Sequence, residues 1–353
     1  MNSVTVNAEH EYDVIVDCQW QEELRKAAHD SSRILIIHSS ALAQPSIDSM
    51  NAEVIYCPID DGESGKSLDS LNRIWNVLGA SGFTRSDLIV AIGGGAVTDV
   101  AGFAAATWLR GMNWIAIPTT IAGMVDASIG GKTAINSSYG KNLIGAFHSP
   151  RAVLIDISHA STLSDRDFSA GLAEVIKCGF IADPTILSDV SSVTLTDIRN
   201  DARQLTSLIT KAISVKAKVV SEDFHESYLR EILNYGHTFG HAVEKHSGFT
   251  LRHGECVAMG MVFVAELLFA QGDIDQQLLD LHRTLLAQFE LPTKLPSTYT
   301  RDQWDALYAF MKLDKKVRGS NIRFVGIRTP GEATRLENLT YEELFAAYEK
   351  VLA

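Results

Sequence analysis

The chain has 353 residues, of which 46% are hydrophobic and 21% charged, an ordinary globular composition. That length suggests two domains of about 150–200 residues each, large enough to bury a core. With 31 Lys and Arg against 43 Asp and Glu, the formal net charge of −12 argues against a nucleic-acid or anionic-membrane binder, which needs a basic footprint; small anionic ligands stay open, because a few local cations hold those.

Residues 1–12 are polar and acidic, without the basic start and apolar core of a secretion signal. No stretch reaches the ~18 uninterrupted apolar residues of a membrane span. Residues 256–270 come nearest, and Glu266 interrupts them. The expectation is a cytoplasmic protein. Cys18, Cys57, Cys178 and Cys256 are far apart and show no CxxC spacing, so they are expected as reduced, buried thiols.

From residue 13 to about 157, short β-branched runs alternate with helical spacing. Residues 13–17 (DVIVD), 33–38 (RILIIH), 53–58 (EVIYCP), 87–92 (DLIVAI), 114–118 (WIAIP) and 152–156 (AVLID) have the character of buried strands. Residues 67–78 and 97–109 have helical apolar spacing. Such alternation argues a parallel sheet with helices on its faces. After about residue 160, helical patterns dominate, over 198–220, 256–270, 275–289 and 341–352. Residues 321–327 (NIRFVGI) alone suggest a late strand or hairpin arm.

The run 87–92 leads directly into Gly93-Gly94-Gly95, with Asp99 expected in the first turn of the helix that follows. Glycines there let backbone N–H groups approach a pyrophosphate at the positive end of a helix. This is not the GxGxxG fingerprint of a standard dinucleotide fold. Pro118-Thr119-Thr120 ends the next strand, at the sheet edge where open α/β folds bind ligands. Gly130-Gly131-Lys132 and Gly140-Lys141-Asn142 are two further Gly-Lys turns, read here as anion contacts.

Residues 230–241 (REILNYGHTFGH) carry the densest chemistry. At about 100° per residue, Arg230, Asn234, His237 and His241 fall on one helical stripe, with Ile232, Tyr235, Phe239 and Val243 opposite. Gly236 and Gly240 weaken a helix by roughly 1 kcal/mol each, and close packing on another element explains them. Two His four apart can share a metal, as in zinc sites of the HExxH type, although that Glu is absent. His253 is a third imidazole, and Glu174 and Lys177 share a face of an earlier helix. A Glu with two neutral imidazoles suits a catalytic zinc with one open position. Spacing leaves open which two histidines bind. Lys216 falls on the apolar face of its helix, where it either snorkels to water or aims its ammonium into a cleft.

Together these pieces resemble the 3-dehydroquinate synthase family of sugar phosphate cyclases. The resemblance rests on Asp61-Gly62-Glu63 with Lys66, Gly93-Gly94-Gly95 with Asp99, Pro118-Thr119-Thr120, and Asp126 through Gly130-Gly131-Lys132. It continues with Gly140-Lys141-Asn142, Gly171 with Glu174 and Lys177, and Arg230 through Asn234, Gly236, His237, Thr238, Gly240 and His241. His253-Gly254-Glu255 and Asp314-Lys315-Lys316 complete it. Order and spacing follow the family over nearly the whole chain.

The resemblance implies a Rossmann-like, parallel-sheet NAD-binding α/β domain over residues 1–158. A mainly α-helical metal- and substrate-binding domain would occupy 159–353. It implies a homodimeric cytoplasmic lyase of the shikimate pathway, which leads to chorismate and the aromatic amino acids. NAD and a divalent metal, zinc or cobalt, would be required. The reaction would turn the sugar phosphate 3-deoxy-D-arabino-heptulosonate 7-phosphate into 3-dehydroquinate and phosphate.

Residue by residue, the resemblance implies Glu174, His237 and His253 as metal ligands, with His241 outside that set. Lys132, Asn142, Lys177 and Arg110 would hold the phosphate, Arg110 reaching across from a second copy. Arg230, Asn234 and Lys315 or Lys316 would meet the carboxylate and hydroxyls. Lys216 and His241 would contact the reacting ring, and Asp126 would bridge substrate and cofactor. NAD would be held by Asp61, Glu63, Lys66, Gly94, Gly95, Ala96, Val97, Asp99, Thr119, Thr120, Lys132, Lys141 and Thr162. One position departs from the pattern: the run 33–38 leads into Ser39-Ser40, where many relatives place an acid for the adenosine ribose. Two other activities share parts of this pattern. One is an inosose- or valiolone-type cyclase, whose substrate lacks the carboxylate. The other is a metal-dependent NAD alcohol dehydrogenase, which would accumulate NADH.

Overall fold

Each of the six β-branched runs in the first half forms a strand. The structure, a computed structural model, describes residues 2–47, 50–226, 229–315 and 322–353. Its first part holds β1 (Asn2–Asn7), β2 (Glu11–Val16), α1 (Trp20–Ala27), β3 (Arg33–Ser39), β4 (Glu53–Ile59), α2 (Leu68–Ala80) and β5 (Leu88–Gly93). There follow α3 (Gly95–Thr107), β6 (Asn113–Pro118), the strands β7 (Lys132–Ser137) and β8 (Gly140–Phe147), and β9 (Ala152–Ile155). The rest is mostly helical: α4 (Asp165–Ile181), α5 (Pro184–Val190), α6 (Leu195–Asn200), α7 (Ala202–Glu222), α8 (His237–His246), α9 (His253–Gln271), α10 (Gln276–Gln288) and α11 (Trp304–Lys315). The hairpin β10 (Phe324–Thr329) and β11 (Glu332–Leu336) and the helix α12 (Tyr341–Val351) end it.

The chain divides into two compact units. One comprises Met1–Leu163 with Leu205–His225, and the other Ser164–Gln204 with Glu226–Ala353.

In the first unit, seven strands form one sheet in the order β1-β2-β9-β6-β5-β3-β4, parallel except for the β1–β2 pair. The central strands β5 and β9 are buried at every position, which is why they read as unbroken apolar runs rather than alternating ones. The strand β1 was not anticipated; it pairs antiparallel at the edge with β2. Register places Gly93 opposite Pro118, so the glycine turn and the Thr119-Thr120 turn sit side by side at the carboxyl edge. The two Gly-Lys turns also proved more than turns. They open the strands of a separate antiparallel hairpin, β7–β8.

In the second unit, α9 packs against α4, α8, α10 and α12. It is apolar on all sides and long enough to cross a membrane by length and composition, yet it is mostly buried within the fold, as expected of a core helix. Two expected helices are interrupted. The pattern over 198–220 breaks at Asp201, whose carboxylate accepts from the N–H groups of Arg203 and Gln204 at 2.9 and 3.0 Å and so starts α7 afresh. The stripe over 230–241 is not one helix. A 3-10 turn at Leu229–Asn234 stops, Gly236 takes φ +77°, and α8 begins at His237.

Gly236 and Gly240 do pack closely, as their spacing suggested. A Cβ at Gly236 would lie 2.6 Å from the Val257 carbonyl oxygen, and one at Gly240 2.8 Å from that of Cys256. The approach is tightest at Gly260, where a Cβ would meet the Gly236 oxygen at 1.8 Å. All four cysteines are buried and unpaired in disulfides. Gly260→Ala is expected to destabilise the fold by on the order of 3 kcal/mol through overpacking, seen as a lower urea midpoint. An unchanged midpoint would mean that the turn at Gly236 can retreat from α9.

Candidate functional site

In the first unit, β5 ends in the glycine turn and α3 starts without a side-chain cap, its N-cap being Gly94. A Cβ at Gly95 would stand 2.8 Å from the Ala127 Cβ, and one at Gly94 3.2 Å from the Thr120 side chain. Backbone therefore lines this turn, with Ala96 and Val97 in the first turn of α3 and Thr119 donating its N–H to Gly93 at 2.9 Å. Uncapped N–H groups beside glycines are the donor set a pyrophosphate takes. Asp99 lies a full turn inside α3 rather than in its first turn.

A polar network surrounds that turn. The buried Lys66 ammonium donates to Asp99 Oδ2 at 2.5 Å and to Asn142 Oδ1. Burial raises the Asp99 pKa, against the pull of Lys66. Asn136, which sequence reasoning passed over, ties the members together. Its amide donates to Glu63 Oε1 at 2.7 Å, and its side-chain oxygen accepts the Asn142 N–H at 3.0 Å. Lys141 stands 3.5 Å from Glu63 Oε2. At the end of β3, Ser39 donates to Asp61 Oδ1 at 2.5 Å. This puts a carboxylate beside a strand whose own sequence has none.

Lys216 is buried on the apolar face of α7, as its spacing indicated, and pairs with Asp126 Oδ1 at 2.5 Å. Arg110 is exposed in a turn where Leu109, Arg110 and Gly111 all take positive φ, at +49°, +64° and +120°. Arg85 clamps that turn with two bonds to the Leu109 carbonyl, at 2.9 and 2.6 Å. Lys132 is exposed at the start of β7, and the Thr162 hydroxyl donates to the His159 carbonyl at 2.7 Å.

In the second unit, α4 places Glu174 and Lys177 one turn apart, both 2% exposed. Lys177 donates to Glu174 Oε2, while Oε1 is buried without a hydrogen-bond partner. That oxygen faces His253 Nε2 at 3.4 Å and His237 Nε2 at 3.7 Å. His237, His241 and His253 each offer a ligand atom, all within 4.8 Å of one another. Metal bonds of about 2.0–2.2 Å at tetrahedral angles put neighbouring donors about 3.4 Å apart, so an orphaned carboxylate oxygen facing imidazole nitrogens at these distances fits a divalent cation. Both rings are oriented from behind. His237 donates Nδ1–H to the Tyr235 carbonyl at 3.0 Å, and His253 Nδ1 faces Glu244 Oε2 at 3.4 Å.

Burial and facing charges compete within this cluster. Burial favours a neutral Glu174, but Lys177 and the facing imidazoles hold its pKa well below the usual carboxylate range. Burial and then Lys177 push His237 down. Burial also opposes a charged His253, yet the carboxylates on either side raise it to about 10. Arg230 is buried, and Asn234 donates to Glu226 Oε1 at 3.2 Å. Lys315 ends α11, and Lys316 lies outside the described residues.

Two family models match the chain: 3-dehydroquinate synthase N-terminal over residues 56–170 and 3-dehydroquinate synthase C-terminal over 171–317. The chain belongs to the 3-dehydroquinate synthase family. A relative from Corynebacterium efficiens named 3-dehydroquinate synthase is 45% identical, across 99% of this chain and 98% of its own. One of the same name from Pseudarthrobacter chlorophenolicus is 49% identical, across 90% and 88%. Among solved structures, the 2-epi-5-epi-valiolone synthase of Streptomyces hygroscopicus subsp. jinggangensis, with NAD+ and Zn2+ bound, matches with a TM-score of 0.87 at 26% identity. The match covers 99% of this chain and 98% of that one.

Within this 3-dehydroquinate synthase fold, Asn136, Glu226 and Glu244 join the site without having been foreseen. Glu244 had a visible signal, since it falls seven residues after His237 and three after His241, on the same face of α8. Asn136 and Glu226 had none, because their contacts depend on a hairpin register and on a left-handed residue, Glu226 at φ +59°.

Proposed function

We propose that this chain converts 3-deoxy-D-arabino-heptulosonate 7-phosphate to 3-dehydroquinate and phosphate, the reaction of a carbon–oxygen lyase and the one its full-length relatives are named for. The observation that carries the reading is the buried Glu174 Oε1, without a hydrogen-bond partner and turned toward two imidazole nitrogens. Glu174, His237 and His253 would hold the divalent ion, zinc or cobalt, and the glycine turn with its polar network would hold NAD. When bound, NAD supplies a reversible hydride acceptor and the ion a Lewis acid at neighbouring hydroxyls, so that transient oxidation can permit β-elimination of phosphate, reduction and aldol closure.

The protein's own part is binding and orientation. Lys132, Asn142, Lys177 and Arg110 would hold the departing phosphate, Arg110 serving a second copy in a homodimer. Lys177 is suited to this because its partner, Glu174, leaves it a charged group in a dry setting. Arg230 would take the carboxylate as a planar fork, with Asn234 and Lys315 or Lys316 at the hydroxyls. Lys216 and His241 would face the ring, and Asp126, already paired with Lys216, would sit between ring and cofactor. Glu63, Lys66, Gly94, Gly95, Ala96, Val97, Asp99, Thr119, Thr120, Lys132, Lys141 and Thr162 would contact NAD. Asp61, held by Ser39, is the acid offered to the adenosine ribose. The location would be the cytoplasm.

Incubation of metal-loaded protein with the heptulosonate phosphate and trace NAD is expected to release phosphate well beyond the NAD present. NADH should not accumulate, and a chelator should stop turnover. Net NADH formation, or turnover confined to a sugar phosphate without a carboxylate, would overturn the assignment. Separately, His253→Ala should lose the metal while His241→Ala keeps it, as measured by metal content after dialysis. Equal loss in both would refute the choice of ligands.

A further inference from the structure

We propose that Glu244 is a positioning residue of the metal centre: it holds the His253 imidazole through Nδ1 so that Nε2 is presented toward Glu174. The inference rests on the metal assignment above and adds a residue that assignment does not contain.

Three observations support it. First, Glu244 is 8% exposed although it carries a carboxylate, and a buried carboxylate is costly unless a partner faces it. One partner that faces it is His253 Nδ1, 3.4 Å from Oε2. Second, the backbone under His253 is already fixed. Glu255 accepts the Arg252 N–H at 2.8 Å and is gripped by Arg166 at 2.5 and 2.7 Å. The remaining freedom is rotation of the ring, and a contact at Nδ1 removes it. Third, the ring has two nitrogens and both face acids, Glu174 at Nε2 and Glu244 at Nδ1. An imidazole that donates Nδ1–H to a carboxylate keeps its Nε2 lone pair for a cation and becomes a more basic ligand.

The contrast with His237 sharpens the role. Its Nδ1 meets a neutral backbone carbonyl, that of Tyr235, which fixes tautomer and direction without adding charge. Glu244 fixes both and adds a negative charge one ring away from the ion. It therefore contributes to affinity as well as to geometry, from a position that does not touch the ion.

The test uses the full chain, stripped of metal and titrated with Co2+ against a competing chelator. Glu244→Ala should weaken Co2+ binding about 10- to 100-fold and shift the visible d–d bands of the bound ion. Glu244→Gln should fall between it and the parent, since an amide oxygen still accepts from Nδ1 but carries no charge. NAD affinity and the thermal midpoint of the metal-free protein should change little in the Gln variant. If Glu244→Ala fails to fold, the nearly isosteric Gln variant decides. Wild-type affinity and an unshifted cobalt spectrum in both variants would overturn the proposal. So would a loss that merely tracks the stability of the metal-free fold. Run beside them, His253→Ala separates the two readings. If it too binds Co2+ as the parent does, the metal assignment fails. If it loses Co2+ while the Glu244 variants keep it, the role of Glu244 alone fails.

Discussion

Everything in the second unit depends on how closely α9 lets its neighbours approach. A Cβ at Gly254 would lie 1.8 Å from the Ala170 carbonyl oxygen, and one at Gly260 1.8 Å from that of Gly236. The helix therefore touches α4 and the turn before α8 backbone to backbone. Glu174 lies one turn beyond Ala170, on the same face of α4, and His237 directly follows Gly236. These two contacts hold the carboxylate and imidazoles at 3.4 and 3.7 Å. A packed interior cannot absorb an added methyl there without moving an element, and a shift of 1 Å would separate the groups that the proposed ion would have to share.

The same closeness sets the electrostatics. Glu174 and Lys177 are both buried, and two charges taken out of water are expensive even when paired. Their pairing uses one carboxylate oxygen and leaves the other turned to the histidines. So Lys177 does more than neutralise: it fixes which oxygen faces which partner. The net charge of −12 describes the exterior and says little about this interior, where cations and anions alternate. Against the effect of burial, the carboxylates on either side of His253 push its pKa up to about 10.

Much of this was legible in the residues because it depends on local pattern. The parallel strands announce themselves by unbroken β-branched runs, and α9 by an apolar stretch with small residues. Glu174 and Lys177 could be paired because they stand three apart on one face of α4, but spacing leaves open which two histidines join them, and only the family resemblance singles out His253. What escaped depends on long-range geometry. The helical stripe through Arg230, Asn234, His237 and His241 was drawn on a continuous helix, but Gly236 interrupts it with a left-handed turn. The four residues were thus grouped by a helical geometry that the chain does not adopt. Asn136 could not be selected at all, because its hydrogen bonds exist only once β7 and β8 pair.

The first unit solves a related problem with different means. There the glycine turn supplies backbone N–H groups but no charge, and the buried Lys66 ammonium brings one beside it. Lys66 reaches Asp99 on α3 and Asn142 on β8 at once. In the assignment above, Asp99 belongs to the nucleotide and Asn142 to the phosphate. One cation then anchors residues of two subsites, and Asn136 closes the loop back to Glu63. Hydrogen-bonded chains of this kind inside a low-dielectric setting are costly when half satisfied and rigid when complete. A group that displaced Lys66 from Asn142 on one side would have to be matched by a new acceptor on the other. In that assignment the two subsites would be coupled through the protein's own polar contacts, by the reach of one lysine as well as by the glycine turn.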